Sequence, residues 1–237
     1  MDWRELPPAP AALLAEAEAH WARLAAETPG VFRFPGPLCQ LLEARAADGR
    51  LHLTLGRTDY RLWLHAQGRQ AALAARFPGA AIARPLAVCA GVLTADGALV
   101  VAERGQALAE GAGLLHVCGG HLDPDRHRRA GAPDPLVAMQ AELEEEWGLR
   151  PEELAEGALL GLAESAAGKP ELIWRFRVAL DAPALAARAA AASDAHEAAA
   201  LHFPAATPAA LATWREAHRP RLAEPTLALL ECLVGAP

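Results

Sequence analysis

The fold is decided by residues 117–149, which read VCGGHLDPDRHRRAGAPDPLVAMQAELEEEWGL. The stretch opens on a pair of glycines, crosses a basic loop that contains prolines and ends in an acidic segment with helical periodicity. In a helix, Glu142, Glu145 and Glu146 stand at positions i, i+3 and i+4, so three carboxylates share one face. Like charges at this spacing repel one another, and hard cations such as Mg²⁺ bind carboxylate oxygens. The pattern therefore indicates a cation site.

An ordinary solvated helix face is the alternative interpretation of the acidic segment, because runs of charge are usually exposed. In either case Leu143 and Trp147 supply apolar positions that would face a core. The context favours the cation site, because the block as a whole, with Gly119, Gly120 and Gly148 in register with the acids, resembles the motif of a known enzyme family.

This block resembles the motif of the Nudix hydrolases, in which a glycine and a loop precede a helix with the pattern Arg-Glu-apolar-x-Glu-Glu-x-Gly-apolar. Residues 141–149, AELEEEWGL, match every fixed position of that helix except the arginine, which is replaced by Ala141. The resemblance implies an α/β fold, a Nudix-type α/β/α sandwich with a mixed β-sheet. It also implies that Mg²⁺, with Mn²⁺ as an alternative, is held by three glutamates: Glu142, Glu145 and Glu146.

Two departures from the family pattern bear on the site. Ala141 removes the arginine that steadies the acids, so its ion pair is either absent or supplied from elsewhere in the chain. The loop ahead of the helix is also longer than in the family. The glutamate that the family carries in this loop has three candidate equivalents here: Asp123, Asp125 and Asp134. Three loop arginines are candidates for replacing the missing arginine or binding phosphate, with a solvated loop as the alternative: Arg126, Arg128 and Arg129.

The pattern outside the block predicts a small α+β N-terminal extension at residues 1–84 and a Nudix domain at residues 85–237. The elements expected in the extension are a helix at 10–27, strands at 38–44 and 51–55 with a hairpin turn at 47–49, and a helical stretch to Phe77. In the second part we expect strands at 86–93 and 98–102, joined as a hairpin around residues 95–97. Besides the acidic helix, further strands are expected at 114–118, 159–163, 172–180 and 201–203, and helices at 183–192, 208–219 and 225–233.

Composition excludes several classes of protein. With 237 residues, 53% of them hydrophobic and 22% charged, the chain is globular and not disordered. A net charge of −7 argues against binding to nucleic acid. The first residues lack a secretory signal pattern and no apolar run is long enough for a bilayer, so we expect a cytoplasmic protein without membrane partners. The four scattered cysteines predict reduced, buried thiols.

Short blocks elsewhere are similar to the Nudix hydrolases that split UDP-glucose and UDP-galactose: residues 55–61 (LGRTDYR), 119–121 (GGH) and 195–197 (AHE). The similarity implies Mg²⁺-dependent cleavage of a nucleoside diphosphate sugar, with UMP and a sugar 1-phosphate as products of a UDP-sugar. The residues implied are, for catalysis, Glu142, Glu146 and Glu197, and, for substrate binding, Gly119, Gly120, His121, Tyr60 and Arg61.

Several alternatives remain open from the sequence. The resemblance leaves open whether one of the helix acids, Glu142, Glu145 and Glu146, or the loop acid Glu197 takes the proton of the attacking water. Tyr60 either stacks on uracil or packs the junction between the N-terminal block and the sheet, and a lone histidine such as His121 is more often structural than a ligand. ADP-ribose, dinucleotides and coenzyme A are alternative substrates, and a catalytically silent sensor of nucleotide sugars is an alternative function. A protein–protein scaffold is a further alternative, but the sequence shows no exposed apolar stripe that would favour it. The sequence does not indicate the oligomeric state.

Overall fold

A computed structural model describes residues 1–31, 33, 35–108 and 110–235. It comprises two compact units that interleave along the chain. Unit 1 contains Met1–Ala87, His121–Asp134 and Glu164–Pro170, and unit 2 contains Val88–Gly120, Pro135–Ala163 and Glu171–Pro237. All of residues 1–84 lie in unit 1, and the division into domains at residues 84 and 85 stays a prediction.

The described residues form an α/β structure, as predicted. The strands are β1 (Asp2–Trp3), β2 (Pro37–Ala47), β3 (Arg50–Asp59), β4 (Ala87–Leu93), β5 (Val101–Arg104), β6 (Leu115–His116), β7 (Cys118–His121), β8 (Arg128–Arg129), β9 (Ala132–Pro133), β10 (Ala155–Glu164), β11 (Pro170–Arg177) and β12 (Ala198–His202). The helices are α1 (Ala11–Glu27), α2 (Tyr60–Ala66), α3 (Gln70–Arg76), α4 (Pro135–Trp147), α5 (Ala182–Ala189), α6 (Pro208–His218) and α7 (Glu224–Val234). None of these described helices is both long and apolar enough to cross a membrane.

Unit 1 is built on a mixed sheet in the order β1-β3-β2, with β1 parallel and β2 antiparallel to β3. The turn between β2 and β3 confirms the predicted hairpin. Asp48 has φ 52° and Gly49 has φ 69°, the left-handed values that a two-residue hairpin turn requires and that Asp-Gly adopts readily. The helical stretch expected to run to Phe77 is instead two helices, α2 and α3, because the chain turns at residues 67–69.

Unit 2 contains two further sheets, one in the order β10-β11-β4-β7 and one in the order β12-β5-β6. The hairpin predicted after β4 forms at its turn, where the Thr94 amide donates to the Ala98 carbonyl at 2.9 Å and the Val100 amide to the Val92 carbonyl at 3.0 Å. Beyond that turn β5 joins the second sheet, between β6 and β12. One predicted hairpin is therefore shared between two sheets.

Helix α4 confirms the helix predicted from the acidic segment. It buries Met139, Leu143 and Trp147 completely. The helix ends at Gly148, which has φ 66°. The Gly148 amide donates to the Glu144 carbonyl at 2.9 Å and the Leu149 amide to the Leu143 carbonyl at 3.0 Å. This pair of bonds terminates a helix where a glycine adopts the left-handed conformation, so the glycine of the motif fixes where α4 stops.

Replacing Leu143 by alanine should lower the free energy of unfolding by about 2–5 kcal/mol, because a fully buried side chain is lost and a cavity remains. Urea unfolding measures this loss. The matched control is Leu159→Ala on β10, where the leucine is 37% exposed and the expected loss is smaller. Equal losses in the two variants would contradict the packing of α4.

Candidate functional site

The two glycines on β7 lie against helix α4 and against β4. A Cβ atom at Gly120 would lie 2.0 Å from Oε1 and 2.6 Å from Oε2 of Glu142, inside the space that the carboxylate occupies. A Cβ at Gly119 would lie 2.6 Å from the carbonyl oxygen of Val88. A side chain at Gly119 would meet the backbone of the neighbouring strand, so this position needs glycine. A side chain at Gly120 would instead have to displace the end of the Glu142 side chain.

Glu146 is turned into the protein, with only 9% of its surface exposed. The backbone N–H of Gly119 donates a long hydrogen bond of 3.4 Å to its Oε1. The buried thiol of Cys118 also hydrogen-bonds to this carboxylate. The solvated-face interpretation of the acidic segment is therefore wrong for Glu146, although it holds for Glu144, which is exposed.

Burial dominates the electrostatics of this carboxyl group. Loss of hydration raises the pKa of Glu146 well above its usual value, and the negative charges of Glu142 and Glu197 raise it further. The positive charge of Arg104 and the Gly119 hydrogen bond act in the opposite direction. Burial likewise raises the pKa of the Cys118 thiol, which keeps it a neutral donor. The site is thus a region of excess negative charge with little water to screen it.

Glu197 reaches this region from a distant part of the chain. It ends a 3₁₀ turn, Ala195–Glu197, immediately before β12. The amide of Gly105 donates to its carbonyl at 2.7 Å, and its Oε2 lies 3.8 Å from Nη2 of Arg104. Among the predicted residues, Glu142 and Glu197 are therefore near enough to Glu146 for their charges to act on it.

Arg104 is the residue that sequence reasoning missed. It appears in the sequence only as the last residue of a short strand, outside any motif. In the structure its side chain is 17% exposed and its charge acts on both Glu146 and Glu197. The hydrogen bond from Cys118 to Glu146 was also not predicted, although the buried, reduced state of Cys118 was. Cys232 corrects the expectation for the fourth thiol, since it is exposed on α7.

The metal-binding prediction is only partly supported by geometry. Within residues 1–31, 33, 35–108 and 110–235, no three His, Cys, Asp or Glu side chains are gathered closely enough to hold a metal ion. The backbone carbonyl of Glu145 accepts hydrogen bonds from the Asp194 amide at 2.8 Å and from Ser193 Oγ at 3.2 Å. The oxygen donors and excess negative charge at Glu142 and Glu146 do fit a hard divalent cation. The role of Glu145 as a ligand stays a prediction.

The predicted substrate residues of the N-terminal part are engaged in contacts within unit 1. The ring of Tyr60 packs edge to face on Trp21, with 6.5 Å between centroids, and on His121, with 5.8 Å. Nη1 of Arg61 lies 3.0 Å from Oε2 of Glu18. These are packing contacts within unit 1, and the choice between the two interpretations of Tyr60 stays a prediction. Substrate binding by Tyr60, Arg61 and His121 stays a prediction.

The charged residues of the long loop pair with partners in unit 1. Nη2 of Arg57 lies 2.6 Å from Oδ2 of Asp125. Oδ1 of Asp123 accepts the amide of Asp125 at 2.7 Å, and Nε of Arg129 lies 3.2 Å from Oδ2 of Asp134. These contacts hold charged groups within the loop, and the replacement of the missing arginine by Arg126, Arg128 or Arg129 stays a prediction. A positive charge that acts on Glu146 is that of Arg104 on β5.

Replacing Glu146 by glutamine should stabilise the protein in the presence of a chelator at neutral pH, because burial opposes ionisation of this carboxyl in the folded state but not in the unfolded chain. The pKa of this carboxyl is raised in the folded state, so below the unfolded pKa, near 4.5, the group is protonated in both states and costs no stability. As the pH rises towards the folded pKa, the carboxyl ionises in the unfolded state first, and the free energy of unfolding falls. The gain in melting temperature over the unsubstituted protein should therefore be small near pH 4 and grow towards about pH 8.

Glu231→Gln on α7 is the control for this measurement, since Glu231 is an exposed glutamate of the same unit. Its effect on the melting temperature should not change over the same pH range. A gain for Glu146→Gln that is independent of pH would contradict the electrostatic description of the site.

Comparison with known proteins gives one sequence relative. No family profile matches this chain. Over 150 residues the chain is 32% identical to the uridine diphosphate glucose pyrophosphatase NUDT22 of Mus musculus. The match covers 54% of this chain and 49% of the mouse protein, so the chain spans about half the length of this curated relative.

Solved structures are similar at lower identity. The NUDIX domain of Shewanella oneidensis NrtR, solved with ADP ribose, is 14% identical with a TM-score of 0.45, over 69% of this chain and 95% of that one. A NUDIX hydrolase from Nitrosomonas europaea is 17% identical with a TM-score of 0.42, over 63% of this chain and 88% of that one. Through its glutamate-bearing helix, its glycine pair and its identity to the mouse pyrophosphatase, the chain resembles the Nudix hydrolases, as the sequence predicted.

Proposed function

We propose that the protein is a Nudix pyrophosphohydrolase that cleaves the diphosphate bridge of a nucleoside diphosphate sugar, with UDP-glucose or UDP-galactose as substrate and Mg²⁺ as cofactor. The observation that carries the proposal is the buried carboxylate of Glu146, held at the Gly119 N–H and exposed to the charges of Glu142 and Glu197. A buried anion among like charges destabilises a fold. Such arrangements are concentrated at functional sites.

Glu142 and Glu146 are the residues that would hold the metal ion, since both carboxylates lie against the glycine pair of β7. A bound Mg²⁺ offsets the negative charge of a diphosphate and activates water for attack. The backbone at Gly119 and Gly120 carries no side chain, and one of its N–H groups already faces a carboxylate. This part of β7 is therefore suited to lie beside an anionic substrate and its metal.

Glu197 is the acid that we assign to the attacking water. It comes from outside α4, its side chain is 28% exposed, and it is close enough to Glu146 for the two charges to interact. A general base has to lie within hydrogen-bond reach of the water that it deprotonates. With Glu142 and Glu146 on the metal, Glu197 is left to accept the proton.

The nature of the substrate rests on sequence similarity. The mouse relative is named as a uridine diphosphate glucose pyrophosphatase, and the short blocks around Tyr60, His121 and Glu197 are similar to Nudix hydrolases that cleave UDP-sugars. The N-terminal block carries the groups that would meet the base and phosphates, Tyr60 and Arg61. In this proposal Arg61 exchanges part of its ion pair with Glu18 for the substrate.

A catalytically silent sensor of nucleotide sugars is the second candidate. It is favoured by Ala141, which replaces the arginine of the family motif. It is also favoured by the lack of a three-residue metal cluster among the residues that the structure describes. A sensor needs to bind the diphosphate but not to activate water.

Incubation with a panel of nucleoside diphosphate compounds distinguishes the two functions. We expect Mg²⁺-dependent release of UMP from UDP-glucose, abolished by chelator, when products are separated by chromatography. The panel includes UDP-galactose, ADP-ribose, a dinucleotide and coenzyme A. Calorimetric binding of UDP-glucose without turnover of any compound would contradict the hydrolase and support the sensor.

Substitution of the acids tests the assigned roles. Glu146→Gln should remove most of the hydrolysis, because a metal ligand is lost. Glu197→Gln should lower kcat by about 10²–10⁴-fold, the usual contribution of a general base, without raising the Mg²⁺ concentration needed for half-maximal rate. Glu231→Gln serves as the control. Full activity of Glu197→Gln would contradict the assignment of the base.

Replacing Gly120 by alanine should displace the Glu142 carboxylate, because the new Cβ would lie 2.0 Å from its Oε1. The clash involves the end of a flexible side chain, so the free energy of unfolding should change by less than about 1 kcal/mol. Hydrolysis should then require more Mg²⁺ for half-maximal rate. Gly161→Ala on β10 is the matched control, since a Cβ there meets no atom within 4 Å. An unchanged Mg²⁺ requirement in Gly120→Ala would contradict the proposed role of Glu142.

A further inference from the structure

The backbone of Arg104 is fixed on both sides at the end of β5. Its amide donates to the Leu114 carbonyl at 2.9 Å, and its carbonyl accepts the Gly113 amide at 3.0 Å. These bonds tie the residue to the segment that leads into β6. The position from which the arginine side chain leaves the sheet is therefore set by the backbone.

The guanidinium group is also oriented by the segment after β5. Nε donates to the carbonyl oxygen of Glu110 at 3.1 Å. A Cβ at Gly111 would lie 3.4 Å from Cδ of Arg104, so this residue lies directly against the side chain. A guanidinium is planar, and one anchored nitrogen fixes the plane of the whole group. Its Nη2 lies 3.8 Å from Oε2 of Glu197.

Strand pairing places the two charges together. In the antiparallel pair of β12 and β5, Ala198 stands opposite Arg104. Glu197 precedes Ala198, and its carbonyl accepts the Gly105 amide at 2.7 Å. The pairing of β12 with β5 therefore brings the backbones of Arg104 and Glu197 close together, next to an irregularity in register between Ala198 and Ala200.

We propose that Arg104 is a positioning residue of the acid site, which orients the Glu197 carboxylate and offsets the charge of Glu146. In this role it takes the place of the arginine that the chain lacks at Ala141. The inference rests on the proposed hydrolase function and goes beyond it by assigning a residue outside the motif. Arg104 acts through the carboxylates and makes no contact with the substrate.

Two features of the site support this role. The acids Glu142, Glu146 and Glu197 concentrate negative charge in a region where burial weakens solvent screening. The side chain of Arg104 is 17% exposed and donates a hydrogen bond to a backbone carbonyl. It supplies a positive charge in this region, and the hydrogen bond and the nearby acids offset the hydration that it loses.

Kinetics of Arg104→Gln and Arg104→Lys with UDP-glucose at saturating Mg²⁺ test the proposal. For Arg104→Gln we expect kcat to fall by about 10–100-fold, the usual effect of losing a group that orients a ligand or base, while KM stays nearly unchanged. Arg104→Lys keeps the charge and should retain a larger share of kcat. A rise in KM with unchanged kcat would show that Arg104 contacts the substrate, and would overturn the proposal.

Thermal unfolding supplies a second readout that does not need activity. In chelator, Arg104→Gln should melt below the unsubstituted protein, and saturating Mg²⁺ should raise its melting temperature by more than it raises that of the unsubstituted protein. The reason is that in Arg104→Gln the metal offsets the negative charge of the acids, which the arginine no longer balances. A rise equal to or smaller than that of the unsubstituted protein would overturn the proposal.

The control is Arg177→Gln, which removes an exposed ion pair with Glu156 in the same unit, with 2.7 Å between Nε and Oε2. It should leave both kcat and the Mg²⁺-induced rise in melting temperature unchanged. If the unsubstituted protein hydrolyses no compound, the proposed function fails. The comparison of melting temperatures still decides whether Arg104 balances the acids.

Discussion

The candidate site depends on the close approach of helix α4 to the glycine pair of β7. The carboxylate of Glu142 fills the space that a side chain at Gly120 would need, and Glu146 reaches the backbone N–H of Gly119. This approach is possible because the other side of α4 is fully buried, through residues that include Leu143 and Trp147. Packing on one face of a helix thereby fixes acidic groups on the other.

Once that approach is made, the site is governed by charge in a poorly hydrated region. Glu146 loses most of its contact with water and faces two further carboxylates, an arrangement that stability alone would not favour. Hydrogen bonds from a backbone amide and a thiol, and the charge of Arg104, offset part of the penalty. A bound cation would remove the excess of negative charge that remains at these acids. This excess connects the fold to the proposed chemistry.

Local signals made α4 and the β2–β3 hairpin predictable, since Gly148 ends the helix and Asp48-Gly49 makes the turn within a few residues of sequence. The sequence placed Glu142 and Glu146 in one motif with the glycines, but their positions against Gly120 and Gly119 were seen only in the structure. Arg104 was not predictable, because its proximity to Glu197 follows from the pairing of β5 with β12. Neither strand carries a signal for its partner. The same non-local pairing divided the expected hairpin after β4 between two sheets.

The division of that hairpin limits how this protein can vary in evolution. Side chains alternate between the two faces of a strand, so adding or deleting one residue between Leu99 and Arg104 turns everything beyond it to the opposite face. The guanidinium would then point away from the acids even though no acidic residue had changed. Insertions and deletions among related proteins should therefore occur in the loop that follows Gly105. The number of residues in the short strand β5 should stay constant.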